Sequence, residues 1–151
     1  MNQAIFLLCL LGFSSAVVIR NQADASLTQA CFHCLCLQES ECKPIGCQQK
    51  HGETACGYFL LTMSHYTVCG KPGYVDGEDL TTAFKRCAAD YGCSSQCVRN
   101  YYVNTGRNCG KYHETPCEMM VRNHDGGNYG CTLNGTLPLW NAVKTCCAGQ
   151  C

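Results

Sequence analysis

Apolar positions along this chain fall mainly into helical stripes, with one short strand-like stretch. Leu27, Ala30, Cys31, Cys34 and Leu35 recur at helical spacing behind Ser26, a capping residue, and predict a first helix with Glu39 at or just past its C-terminal end. Cys56-Gly57-Tyr58-Phe59-Leu60-Leu61-Thr62 follows the glycine-containing His51-Gly52-Glu53 and reads as one arm of a small hairpin. Leu80, Ala83, Phe84, Cys87, Ala88 and Tyr91 form the clearest amphipathic pattern, opened by Gly77-Glu78-Asp79 and stopped by Gly92. Ser94 is placed to cap the next helix, carrying Cys97, Val98, Tyr101 and Tyr102. Thr115-Pro116-Cys117-Glu118 is a capping box with proline at the first helical position, predicting a helix to about Asn123 that Gly126-Gly127 ends. A last short helix holds Leu139, Trp140 and Val143, tied down by Cys146, Cys147 and Cys151. The predicted class is α+β, mostly helical, with a small β-hairpin.

The run from Ala4 to Val18 is almost wholly apolar and small, and it contains Ser14-Ser15-Ala16, a small-x-small cleavage pattern. Residues 1–16 are expected to be a signal peptide, with Ala23-Asp24-Ala25 a second possible cut. The run is shorter than the roughly 20 residues a spanning helix needs, so the expectation is a secreted, extracellular protein rather than a membrane protein. One domain over residues 26–151 accounts for the rest, since no repeat or long linker interrupts it.

Cysteine usage sharpens this reading. Of seventeen cysteines, Cys9 lies in the signal segment, leaving sixteen, an even number that permits eight disulfides in an oxidising compartment. Cys31-x-x-Cys34 has no second pair at zinc-finger spacing, and His33, His51, His65, His113 and His124 make no metal-binding spacing, so neither metal nor other cofactor is expected. Eleven Lys+Arg balance eleven Asp+Glu without a basic stripe, which argues against a nucleic-acid partner. A wall-binding protein of this charge would need a groove to supply its affinity. Asn134-Gly135-Thr136 is a glycosylation sequon.

An acid at the end of a disulfide-bound helix suits general-acid work, because partial burial raises its pKa. The surrounding residues carry a longer pattern. Cys31-x-x-Cys34-x-Cys36-x-x-Glu39-Ser40-x-Cys42, Pro44-Ile45-Gly46-Cys47, Cys56-Gly57-Tyr58-Phe59 and Cys69-Gly70-Lys71-Pro72-Gly73 come first. Cys87-Ala88-Ala89-Asp90-Tyr91-Gly92-Cys93, Cys97-Val98-Arg99-Asn100-Tyr101 and His124-Asp125-Gly126-Gly127 through Gly130-Cys131 follow. Together they resemble the invertebrate-type lysozymes, also called the destabilase family, over about a hundred residues in unbroken order. Only the cysteine-rich tail after Cys131 departs.

The resemblance implies a disulfide-rich lysozyme-like fold and hydrolysis of the β-1,4 bond of bacterial peptidoglycan. It also implies a monomer with bridges Cys36–Cys42, Cys47–Cys56, Cys87–Cys93 and Cys69–Cys97. Such chemistry needs two carboxyls, one protonating the glycosidic oxygen and one attacking or stabilising the oxocarbenium-like sugar. Glu39 falls on the family's general acid, but the family's second acid is replaced by Lys50. An ammonium there would repel the developing sugar cation and lower the Glu39 pKa. Glu53 is a possible substitute, and Glu41 flanks Glu39.

Other family positions differ as well. Tyr58-Phe59-Leu60-Leu61-Thr62 and Tyr66-Thr67-Val68-Cys69 have lost polar groove residues, and the serines and lysine of the family's isopeptidase activity are Glu53, Ala55 and Thr62, which discounts that activity. Tyr58, Tyr66 and His124 are candidate substrate contacts, with Phe59 a further aromatic that could stack on sugar or fill a core, and Asp125 stands where the family has Asn. Two functions follow: a peptidoglycan-cleaving lysozyme with an atypical second group, or a non-catalytic glycan-binding or immune-effector descendant. A disulfide-rich inhibitor or structural protein is a third reading.

Overall fold

The structure is a computed structural model and describes residues 27–106, 109 and 115–151. The expected signal segment, Ser26 and His113 lie outside them. Helices dominate: α1 (Gln29–Ser40), α2 (Met63–Val68), α3 (Leu80–Ala88), α4 (Tyr91–Thr105), α5 (Pro116–Gly126) and α6 (Leu137–Cys147). Two 3-10 turns, Gly127–Thr132 and Asn134–Thr136, join α5 to α6. An antiparallel sheet of β1 (Gln48–Lys50), β2 (Glu53–Cys56) and β3 (Leu61–Thr62) lies between α1 and α2 in the chain.

Helix α1 packs against the core along most of its length, leaving Gln29, His33, Leu37 and Gln38 exposed. Cys31, Phe32, Cys34, Leu35 and Cys36 are all buried, a broad buried face opposite the exposed Gln29, His33 and Leu37. Thr28 caps it, its hydroxyl accepting from the Cys31 amide at 3.2 Å. Three bridges fasten it: Cys31 to Cys117 of α5, Cys34 to Cys146 of α6, and Cys36 to Cys42 just beyond its end. The others are Cys47–Cys56, Cys69–Cys97, Cys87–Cys93, Cys109–Cys131 and Cys147–Cys151, so the extra tail cysteines clasp α6 to α1 and to the terminus.

Three boundaries differ from the sequence reading. The strand arm expected over Cys56–Thr62 is broken by a turn at Gly57–Leu60, where Gly57 (φ 76°) and Leu60 (φ 47°) are left-handed. The hairpin is made instead by β1 and β2 around His51 (φ 53°) and Gly52 (φ 83°), a two-residue turn with both φ values positive. The amphipathic helix ends at Ala88, before Tyr91, because the Asp90 side chain accepts from the Cys93 amide at 2.7 Å and starts α4 there. Ser94, expected as a cap, is buried inside α4, and Gly92 lies in its first turn.

The Gly57 turn fixes the sheet against α3. Its amide donates to Ile45 O and the Tyr58 amide to Ala88 O, at 3.0 and 3.1 Å. A Cβ on Gly57 would stand 1.8 Å from Ala88 O, so glycine is required for both backbone conformation and approach.

Candidate functional site

Glu39 lies in the last turn of α1, with its side chain 4% exposed. Ser40 beside it anchors that turn, its hydroxyl donating to Tyr58 O at 2.7 Å. The β1–β2 turn pairs Lys50 with Glu53 across the hairpin, and Cys47–Cys56 closes the hairpin's far end. This brings the Lys50 ammonium onto Glu39: Nζ stands 2.6 Å from Oε1 and 2.8 Å from Oε2. Lys50 and Glu39 are thus in direct contact.

The last turn of α5 supplies the other wall. His124 Nε2 donates to Phe59 O at 2.9 Å and stands 3.5 Å from Glu39 Oε1, while its Nδ1 is buried without a hydrogen-bond partner among the described residues. His124 O accepts from His65 Nε2 at 3.0 Å. His65 Nδ1 meets the hydroxyl and amide of Thr62, in the capping box of α2. Burial and the neighbouring His124 push His65 down to about 3, so it is a neutral spacer with fixed hydrogen bonds above mildly acidic pH.

Opposing forces act on Glu39. Burial pushes its carboxyl up, as does its place at a helix C-terminus, but His124 and Lys50 together hold it below the ordinary value. Geometry gives Lys50 the larger share. It touches both oxygens, whereas the His124 N–H is farther from one of them and already serves Phe59 O.

A cleft of about 470 Å³ opens beside this group, lined by Lys50, Glu53, His65, Tyr101, His124, Asp125 and residues of the 3-10 turns. Glu39 does not line it. Lys50 and His124 do, standing between the acid and the space a ligand would enter.

The remaining candidates divide. Glu53 lines the cleft but is exposed, and accepts a 3.4 Å hydrogen bond from Ser64. Glu41 points away and pairs with Lys43 at 2.6 Å. Tyr58 is half-buried, edge-on to Tyr91, and is not among the cleft residues. Tyr66, expected to meet sugar, instead fills the core: it is fully buried, its hydroxyl donating to Pro72 O at 3.1 Å and its ring against Phe84. Phe59 is likewise buried. Leu60 lines the cleft, so one expected loss of polarity falls where it matters, whereas Val68 is an exposed residue elsewhere.

Sequence reasoning missed two groups. Tyr101 presents its ring to the cleft beside His65, with centroids 4.5 Å apart, and was counted only as a helix-stripe residue. Asp125, read as part of a turn, has Oδ1 3.4 Å from Lys50 Nζ and 3.4 Å from His51 Nε2, with its side chain 9% exposed. The available signal was the exchange of charge, a cation at position 50 together with an acid where the family has Asn.

The Destabilase family model matches residues 28–146. This chain belongs to the Destabilase family. Invertebrate-type lysozyme 2 of Caenorhabditis elegans is 42% identical over 135 residues, covering 89% of this chain and 97% of that relative. A lysozyme of Magallana gigas is 39% identical, covering 80% of each. Among solved structures, Tapes japonica lysozyme superposes with a TM-score of 0.62 at 38% identity, covering 78% of this chain and 88% of that one. Inhibitor-bound Meretrix lusoria lysozyme gives 0.67 at 33%, covering 80% and 90%. This chain thus carries an acid at the end of its first helix and clamps it with its own lysine.

Proposed function

We propose that this protein is a secreted lysozyme-type glycosidase that takes the β-1,4-linked glycan of bacterial peptidoglycan, with Glu39 as general acid and turnover restrained by Lys50. Family membership and relatives named lysozyme support the reaction class. The observation that carries the restraint is the Lys50 ammonium on both Glu39 oxygens. A general acid must hold a proton when the leaving oxygen departs, and an ion-paired carboxylate has none to give. His124 keeps the acid's orientation, and His65 and Tyr101 form the cleft wall against which a sugar ring can lie.

Residues 1–16 serve as the signal peptide and the mature domain acts as a monomer. No helix among the described residues is long and apolar enough to cross a membrane. Asn134 is exposed, beside Gly135 and Thr136 of the cleft, and carries the glycan of the sequon.

Release of soluble muropeptides from purified peptidoglycan, with wild type beside Glu39→Gln, tests the reading. Slow release by wild type, abolished in the variant while sedimentation with peptidoglycan persists, is expected. The Lys50 contact also favours a non-catalytic glycan binder, for which neither protein would release muropeptides and both would sediment. Rapid clearing by wild type would remove the restraint from the account, and absence of both binding and release would remove the glycan.

A further inference from the structure

We propose that Asp125 is the second catalytic carboxylate of this site, and that Lys50 occupies the position between Asp125 and Glu39 which the positively charged sugar ring takes during reaction. The assignment rests on the lysozyme-type reading above. Contacts of 2.6 and 3.4 Å through one ammonium place the nearest Glu39 and Asp125 oxygens within about 6 Å of each other. Carboxyls separated by roughly 5–5.5 Å serve retaining glycosidases, whereas inverting pairs stand wider to admit water. A seat that holds a cation between one buried carboxylate and one at the cleft wall is electrostatically the seat of an oxocarbenium ion.

The two acids are unequal in the way the reaction requires. Asp125 lines the cleft, with its Oδ1 3.4 Å from Nε2 of the exposed His51, so its carboxylate faces the space a ligand would enter. Glu39 lies deeper, at a helix C-terminus, and once the ammonium leaves both features push toward the protonated form against His124 alone. Glu53 fits less well, being exposed and held by Ser64, whereas Asp125 shares Lys50 with the acid. Lys50 itself sits at the hairpin turn with its side chain 21% exposed, so rotation of its flexible stem carries the ammonium to solvent without moving the sheet.

With Lys50 withdrawn, Glu39 takes a proton from solvent. Asp125 Oδ then attacks the anomeric carbon as the glycosidic C–O bond breaks, and Glu39 passes its proton to the departing oxygen. In the second half Glu39 removes a proton from water, whose oxygen attacks the anomeric carbon. The glycosyl–Asp125 bond breaks, returning Asp125 to carboxylate and Glu39 to acid. Atoms and charge balance without a cofactor.

The test uses Lys50→Met, Asp125→Asn and the double variant, each checked for fold by thermal melting, on a soluble peptidoglycan oligosaccharide. Lys50→Met should raise kcat/KM at least about tenfold, and adding Asp125→Asn should abolish that gain. Independently, a 2-deoxy-2-fluoro glycosyl fluoride of the same sugar should label Lys50→Met covalently on the peptide containing Asp125, and products should keep the anomeric configuration. A double variant as active as Lys50→Met, an adduct on Glu53 or elsewhere, or inverted products would overturn the assignment while leaving the glycosidase reading intact. If none of the proteins, wild type included, cleaves the oligosaccharide, the glycosidase reading fails and this assignment fails with it.

Discussion

Lys50 grips both oxygens of the Glu39 carboxylate, at 2.6 and 2.8 Å, from the cleft side. The contact joins the last turn of α1 to the tip of the β1–β2 hairpin, two elements that sequence order separates by eleven positions. It is the point at which catalysis and stability oppose each other. Holding the carboxylate ionised pairs a buried charge with a half-buried one, and on the reading proposed above releasing it readies the acid.

The stability side is measurable. Lys50→Met leaves Glu39 and Asp125 without their shared cation, and should lower unfolding free energy at pH 7 by about 1–3 kcal/mol, less than for a fully buried pair because Lys50 is partly exposed. In wild type the Glu39 carboxyl is depressed, so its contribution is present above the unfolded value near 4.5 and lost as pH falls through the lower folded value. In Lys50→Met burial acts without the lysine, and the deficit should shrink as pH falls toward 4. Denaturant melts at both pH values check this.

His65 carries the opposite linkage for its type. Its folded value of about 3 lies below the ordinary 6.5, so the unfolded chain binds more protons between them. Its contribution is complete above about pH 6.5 and is lost progressively as pH falls toward 3. His65→Leu removes the donor to His124 O and should cost about 1–3 kcal/mol at pH 7. The difference from wild type should narrow on acidification, as followed by urea unfolding at a series of pH values.

Gly57→Ala tests the fold beneath the site. The added Cβ has nowhere to go with Ala88 O 1.8 Å away and φ at 76°, so the variant should lose at least about 3 kcal/mol or fail to accumulate folded. Secreted yield and thermal midpoint report the outcome.

Much of the architecture was readable because it rests on local signals. The Thr115 cap and Pro116 set the start of α5, and five of the six helices lie near their predicted stripes, the short α2 having no stripe of its own. What failed to show was long-range. Ser94 reads as the cap of α4 in sequence, but the Asp90 side chain accepts from the Cys93 amide at 2.7 Å and starts the helix one turn earlier. Tyr66 looks like a stacking aromatic until Phe84 and Pro72 close over it. Glu39 and Lys50 were visible as a conflict of charge, but the third member, Asp125, sits seventy-five positions beyond Lys50, and no periodicity connects them.

Activity should follow the charge at position 50. Lys50→Asp removes the cation and places a carboxylate at the family position, so kcat/KM for peptidoglycan should rise by well over tenfold, each factor of ten being about 1.4 kcal/mol of barrier. An unchanged kcat/KM in a folded variant would locate the defect elsewhere in the cleft, with Leu60 the first candidate.

The most direct measurement is a carbon-13 NMR titration of the Glu39 side-chain carboxyl in wild type and Lys50→Met. A lysine that clamps the acid predicts a wild-type midpoint below the ordinary 4.5 and a higher midpoint in the variant, where burial of the carboxyl acts without the lysine. A wild-type midpoint above 4.5, or one that Lys50→Met leaves in place, would contradict it.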